Sequence, residues 1–295
     1  MYKEIDSNKR KTVLLFFAFL VFVIGLGYFL SRYFGNSLIL IIAVIIALTQ
    51  ALISYYYSDK IALTIAGAKE VPRKEPYLEL HRIVENLAIT AGLPKPKVFV
   101  INDISPNAFA TGRDPKNACT AVTTGLLDKL DKPELEGVIA HELAHVGNYD
   151  IRLMTVIVVL VGVIALLSDF FLRWSFFGGR RDSNEGGGQF QAIMIIVGIV
   201  LAILAPIIAM IIQLSISRKR EYLADATGAL LTRYPEGLAS ALEKISADTN
   251  VLKANNRATA HLYITEPTKK KVSALFMTHP PVEDRIKKLR AMISK

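Results

Sequence analysis

Asp131-Lys132-Pro133-Glu134-Leu135-Glu136-Gly137-Val138-Ile139-Ala140-His141-Glu142-Leu143-Ala144-His145 begins with the marks of a helix start and ends on a pair of histidines. Asp131 is placed to cap the helix. Pro133 suits its first turn, and Glu134 stands three residues on, in capping-box position. On the helix so opened, His141 and His145 share a face and can present two imidazole nitrogens to one metal ion at about 2.0–2.1 Å. Zinc is the expected ion. Glu142, next to the first histidine, is the natural general base for a water whose pKa falls to about 7 on zinc. A chain with five histidines can hold such a short pattern by chance, so the surrounding sequence has to supply context.

The 295-residue chain is 52% hydrophobic and has a positive mean hydropathy. That is too apolar for an ordinary soluble domain of this length, and part of the content belongs in lipid. Cys119 is the single cysteine. It excludes an intrachain disulfide and a multi-cysteine metal site, so a metal here must be held by nitrogen and oxygen. The net charge is +9. Its Lys and Arg residues cluster beside the apolar segments and in the C-terminal tail, a distribution that suits anionic lipid and argues against nucleic acid as a partner.

Thr12 to Ser31 is uncharged and, as a helix, covers about 30 Å, the thickness of a hydrocarbon core. A cleaved signal peptide is the alternative. Arg32, Tyr33 and Phe34 stand where a small-x-small cleavage site would follow, so the segment reads as a retained anchor. A second uncharged run, Tyr33 to Ser58, follows the break at Gly35-Asn36-Ser37 and completes a helical hairpin. Lys3, Lys9, Arg10 and Lys11 precede this hairpin and Lys60, Lys69, Arg73 and Lys74 follow it, which puts both its ends in the cytoplasm. Leu153 to Leu172 and Phe190 to Ile216, around the loop Gly178 to Gln189, form a candidate second hairpin. Asp169 interrupts it and Arg173, Arg180 and Arg181 load its loop, so a re-entrant or surface-lying pair is the alternative.

The polar segments read as one soluble unit in two pieces. Tyr77 to Ala91 has Leu80, Ile83, Val84, Leu87 and Ala91 at helical spacing and ends at Gly92. Lys97 to Ile101, Asn107 to Thr111 and Cys119 to Thr124 read as short strands, the last two joined by a turn at Gly112 to Pro115. The expected fold is an α+β membrane protein: four transmembrane helices in two hairpins, 1–58 and 153–216, with a mostly helical zincin-like domain made from 59–152 and 217–295 and carrying a small β-sheet.

A site of this type needs a third protein ligand and leaves a fourth position to water. His81, His261, His279 and several carboxylates are candidates. Glu221 stands out in Arg220-Glu221-Tyr222-Leu223-Ala224-Asp225-Ala226, because Asp225 follows one turn later. A carboxylate there could accept the outer ring N–H of His141 or His145. The plainer reading of that pair is an acidic, solvated helix face. His279, before Pro280 and Pro281, can be a helix-start residue or an N–H donor to a developing oxyanion. Asn107, Ala108, Phe109, Ala110 and Thr111 read as an edge strand, and such an edge can bind an extended peptide by strand addition. His81 and His261 read as structural or surface residues, and Cys119 as buried and inert.

His141 to His145, Arg220 to Ala226, Asn107 to Gly112 and Thr278-His279-Pro280-Pro281 together resemble the HtpX family of membrane metallopeptidases, in the broader group that includes the zinc CAAX prenyl proteases. The resemblance runs nearly end to end and places the two hairpins where that family has them. It implies a multi-pass zinc endopeptidase of the cell membrane, facing the cytoplasm, with one Zn2+ per subunit. Its partners would be misfolded or damaged membrane proteins and unfolded polypeptides, in stress-linked quality control, together with the lipid bilayer. It also implies His141, His145 and Glu221 as ligands, Glu142 as base, Asp225 as the supporting carboxylate and His279 at the oxyanion, with 107–111 as the substrate edge. The competing readings are a prenyl-protein protease, which would need more membrane spans than four apolar segments provide, and a membrane scaffold with an inert, metal-free HELAH.

Overall fold

In the computed structural model the chain is described over residues 2–177, 192–193, 195–200, 203, 218–250, 263–264 and 280–293. The first two apolar runs form helices α1 (Tyr2–Phe34) and α2 (Ser37–Ile65). They are joined at Gly35 and Asn36, whose side chain caps α2 by accepting the Leu38 N–H at 3.0 Å. Outward-facing side chains such as Val13, Phe17, Val21, Ile41, Ile45 and Leu52 are more than half exposed, an apolar surface that lipid would cover. Helix α6 (Asp150–Phe177) packs against both: Val156, Leu160 and Ile164 meet Phe19, Val23 and Ala47 in one buried cluster.

Among the described residues, three helices are long and apolar enough to cross a membrane: Ile5–Tyr33, Ser37–Ile65 and Asp150–Asp169. The fourth expected segment, Phe190 to Ile216, falls largely outside the described residues. Helix α2 also continues past Ser58, where the uncharged run ends. Beyond Asp59 and Lys60, its Ala62 and Leu63 pack with Ala66 onto Ile101, Phe109 and Ala121 of the sheet, so burial on protein carries the helix out of the apolar stretch.

Four strands form the sheet among the described residues: β1 (Ala68–Glu70), β2 (Lys97–Ile101), β3 (Ala108–Thr111) and β4 (Cys119–Thr123), in the order β1-β2-β4-β3. β2 and β4 are parallel. β3 and β4 form the expected hairpin, with Phe109 opposite Ala121. Only β1 was not expected, since Ala-Lys-Glu has no apolar run; pairing with β2 makes it a strand. Helix α3 (Leu78–Thr90) packs on the central helix, Lys132–Gly147, and the short α4 (Thr124–Lys129) follows directly from β4.

At the centre lies α5 (Lys132–Gly147), buried continuously from Val138 to Val146. The expected capping box closes it: Asp131 accepts the Glu134 N–H at 3.1 Å, and Glu134 accepts the Asp131 N–H at 2.9 Å. Around α5 pack α7 (Arg218–Thr232) and α8 (Pro235–Ala247), with α9 (Val282–Arg290) behind them. Two glycines permit these crossings. A Cβ on Gly137 would meet the Leu238 backbone nitrogen at 2.6 Å, and one on Gly228 would meet the His141 nitrogen at 3.0 Å.

Backbone cannot yield as a side-chain tip does, so Gly137→Ala is expected to destabilise the fold by about 1–3 kcal/mol. Asp131→Ala, which loses the cap, should cost about 1 kcal/mol. Thermal unfolding of the detergent-solubilised chain measures both, and an unchanged Tm for Gly137→Ala would contradict the close crossing.

Candidate metal centre

Helix α5 places His141 and His145 one turn apart, and α7 brings Glu221, Asp225 and Gly228 onto the same face at positions i, i+4 and i+7. Because Gly228 lets α7 approach the α5 backbone, Glu221 reaches both histidines. The Nε2 atoms of His141 and His145 lie 3.2 Å apart, with the rings nearly perpendicular. Glu221 Oε2 is 3.8 Å from His141 Nε2, and Oε1 is 3.6 Å from His145 Nε2. All three side chains are buried, and among the described residues this is the one cluster suited to a metal ion. Ligand atoms placed tetrahedrally about 2.0–2.1 Å from zinc lie about 3.3 Å from one another. The donor set and its spacing therefore fit a zinc ion.

The outer ring nitrogens explain why the inner ones are free to ligate. His141 Nδ1 faces Asp225 Oδ1 at 2.9 Å, and His145 Nδ1 faces Asp150 Oδ2 at 3.1 Å. An ionised carboxylate has no proton to give, so each Nδ1 carries a hydrogen, which leaves Nε2 as the nitrogen that would face a metal ion. Asp225 thus pairs with His141 of the two histidines considered for it. Asp150 does the same for His145, a partner that the sequence reading missed although it stands five residues after His145.

Each carboxylate is in turn held by an arginine. Arg285, fully buried, donates from Nε to Asp225 Oδ2 at 2.9 Å and from Nη2 to Oδ1 at 2.7 Å. Its Nη1 donates to the Ile264 carbonyl at 3.2 Å. Arg220 Nη1 lies 3.2 Å from Asp150 Oδ1. Burial alone would push the Asp225 carboxyl up, but Arg285 and His141 outweigh it and hold it down to about 2. For His145, burial disfavours the charged ring, yet Asp150 and Glu221 reverse the balance and push it up to about 9.

Glu142 sits beside the triad and is pushed above the ordinary carboxylate range by burial, with His141, His145 and a backbone N–H pulling the other way. That N–H belongs to Ala110 and donates to Glu142 Oε2 at 2.8 Å. β3 is an edge strand among the described residues. Next to Ala110, the Ala108 carbonyl accepts the Ile264 N–H at 3.1 Å, and the Phe109 ring meets Tyr263 edge-on at 5.2 Å. Asn107 and Thr111 are buried at the two ends, Asn107 donating its N–H to Thr123 Oγ1 and Thr111 touching Thr155.

Of the other histidines, His81 contacts the Val71 carbonyl at 3.1 Å on α3, as its structural reading expects, while His261 and His279 lie outside the described residues. Cys119 is buried and its thiol is pushed up to about 12, chiefly by burial, which leaves it inert.

The fold and the site together define a membrane protein with a buried His-His-Glu site on crossing helices, flanked by a carboxylate that a strand edge holds. Residues 72–293 match Peptidase family M48, and the chain belongs to that family. It is a membrane metalloprotease. "Protease HtpX homolog" of Caldanaerobacter subterraneus subsp. tengcongensis is 49% identical over 298 residues, covering 99% of this chain and 98% of that one. The protein of the same name from Dictyoglomus thermophilum is 47% identical over 292 residues, with 99% and 94% covered. The fold is similar to the crystal structure of S. mikatae Ste24p, with a TM-score of 0.50 at 20% identity over 98% of this chain and 67% of that one.

Replacing Arg285 by Met leaves Asp225 buried without its cation, at an expected cost of about 3–5 kcal/mol near neutral pH. A lowered folded pKa means stability that is present above the ordinary carboxylate pKa of about 3.9 and lost as pH falls towards the folded value. The Tm gap between wild type and Arg285→Met should therefore narrow as pH drops from about 4 towards 2. A gap that stays constant across that range contradicts the assignment.

Proposed function

We propose that His141, His145 and Glu221 bind one Zn2+ per chain and that the protein is a zinc-dependent endopeptidase acting on misfolded or damaged membrane proteins. The observation that carries this reading is the buried triangle of two Nε2 atoms and one carboxylate, each histidine backed by its own aspartate. Bound there, zinc would polarise the scissile carbonyl and acidify a water molecule. Glu142 accepts that water's proton and returns it to the leaving amine, and a carboxyl whose proton affinity burial has raised suits both directions of transfer. Before a peptide binds, the Ala110 N–H holds the Glu142 carboxylate in place. By the family resemblance, His279 supplies the donor that stabilises the oxyanion.

The position of β3 alongside Glu142 supports 107–111 as the substrate edge, and a peptide strand added there would take the Ala110 N–H from Glu142 as it binds. It would share that edge with Ile264, which already takes the Ala108 carbonyl. The flanking Lys and Arg residues support a cytoplasmic catalytic unit, split between 59–152 and 217–295 and interrupted by the 153–216 hairpin, with 1–58 as the first hairpin and four spans in all. Packing of α5 against α7 and α8 supports joint folding of the two pieces. Helix α6 begins at Asp150, so the zinc site would lie at the membrane surface, where membrane-protein substrates are met.

Glu142→Gln is expected to lower proteolysis of a misfolded membrane protein in detergent by roughly 10²–10⁴-fold while leaving zinc stoichiometry unchanged. Cleavage by the wild-type chain should need no ATP and should stop with chelator. A Glu142→Gln protein that cleaves at the wild-type rate would refute the assigned base.

A further inference from the structure

Helix α1 is apolar through most of its length, yet Asn8 near its start is completely buried. Its side-chain amide has two N–H donors, and both are used far away in sequence. Nδ2 donates to Asp150 Oδ1 at 2.6 Å and to the Asn148 carbonyl at 2.9 Å. Asn148 is the C-cap of α5, and Tyr149 between it and α6 takes a left-handed φ of 60°. Asn8 therefore grips the corner at which the histidine helix turns into the membrane.

Asp150 has one oxygen on each side of this arrangement. Oδ1 is held by Asn8 and by Arg220 at 3.2 Å, while Oδ2 faces His145 Nδ1 at 3.1 Å. A carboxylate clamped at one oxygen cannot rotate freely about its Cβ–Cγ bond, so the other oxygen stays on the imidazole. We propose that Asn8 is a positioning residue of the metal centre: through Asp150 it fixes the tautomer and orientation of His145, so that the first membrane helix completes the site. This rests on His145 being a metal ligand. Simple adhesion of α1 to α6 does not need the amide, because Leu15 already packs on Leu153 and Ile157, and a buried amide is costly unless its geometry is met.

The test uses the full chain in detergent, with zinc affinity measured by chelator competition and site geometry read from the visible absorption of the Co2+-loaded protein. Supporting partners of ligand histidines typically alter metal affinity by about 10–100-fold. Asn8→Ala should weaken zinc binding by about 10-fold and shift the Co2+ bands, and Asn8→Ser, which keeps a donor, should recover part of the loss. Leu15→Ala should lower Tm while leaving both metal readouts at wild type. Wild-type affinity and spectrum in Asn8→Ala would overturn the proposal, as would an equal loss in Leu15→Ala. If Asn8→Ala does not fold, Asn8→Leu, which has no donor and nearly the same shape, carries the same comparison, with wild-type readouts again overturning it. His145→Ala separates this from the parent reading: zinc binding unaffected by that change removes the ligand assignment itself.

Discussion

Two imidazole nitrogens held 3.2 Å apart form the constraint on which the rest of this structure depends. Both Nε2 atoms can face one cation only if both Nδ1 atoms carry their hydrogens outward, and that needs an acceptor behind each ring. Asp225 and Asp150 are those acceptors. Buried carboxylates in turn need compensating charge, which Arg285 and Arg220 supply. The site is thus a nested set of requirements, each layer present because the one inside it is buried.

Packing follows the same logic. Helix α5 is buried where its histidines meet Glu221 from α7 and its Glu142 meets Ala110 from β3. It is therefore enclosed on all sides, with apolar Val138, Ile139, Leu143 and Val146 filling the space that the polar side chains leave. Gly228 is the point at which two backbones come close enough for the α7 stripe to reach across. The corner at Asn148 to Asp150 then carries this enclosed helix directly into α6, so the candidate metal centre and a helix apolar enough to cross a membrane share Asp150.

What the sequence made legible was local. The capping box, the four-residue spacing of His141 and His145, the Glu221–Asp225 turn and the β3–β4 hairpin all lie within a few residues of one another, where helical or strand period dictates geometry. The partners that were not legible come from far along the chain. Arg285 belongs to the C-terminal Lys and Arg residues whose distribution suits anionic lipid, yet it is fully buried against Asp225 and the Ile264 carbonyl. Asn8 reads as an ordinary polar residue before an apolar span, and nothing near it in sequence hints at Asp150. β1 and the extension of α2 to Ile65 escaped for a related reason, being stabilised by the sheet they contact.

Zinc K-edge X-ray absorption of the metal-loaded, detergent-solubilised protein tests the central claim most directly, because it counts and identifies the atoms around the ion. The account predicts one zinc per chain with two imidazole nitrogens at about 2.0–2.1 Å and light oxygen atoms completing a four-coordinate shell. A sulfur shell near 2.3 Å, or fewer than two imidazoles, would contradict it.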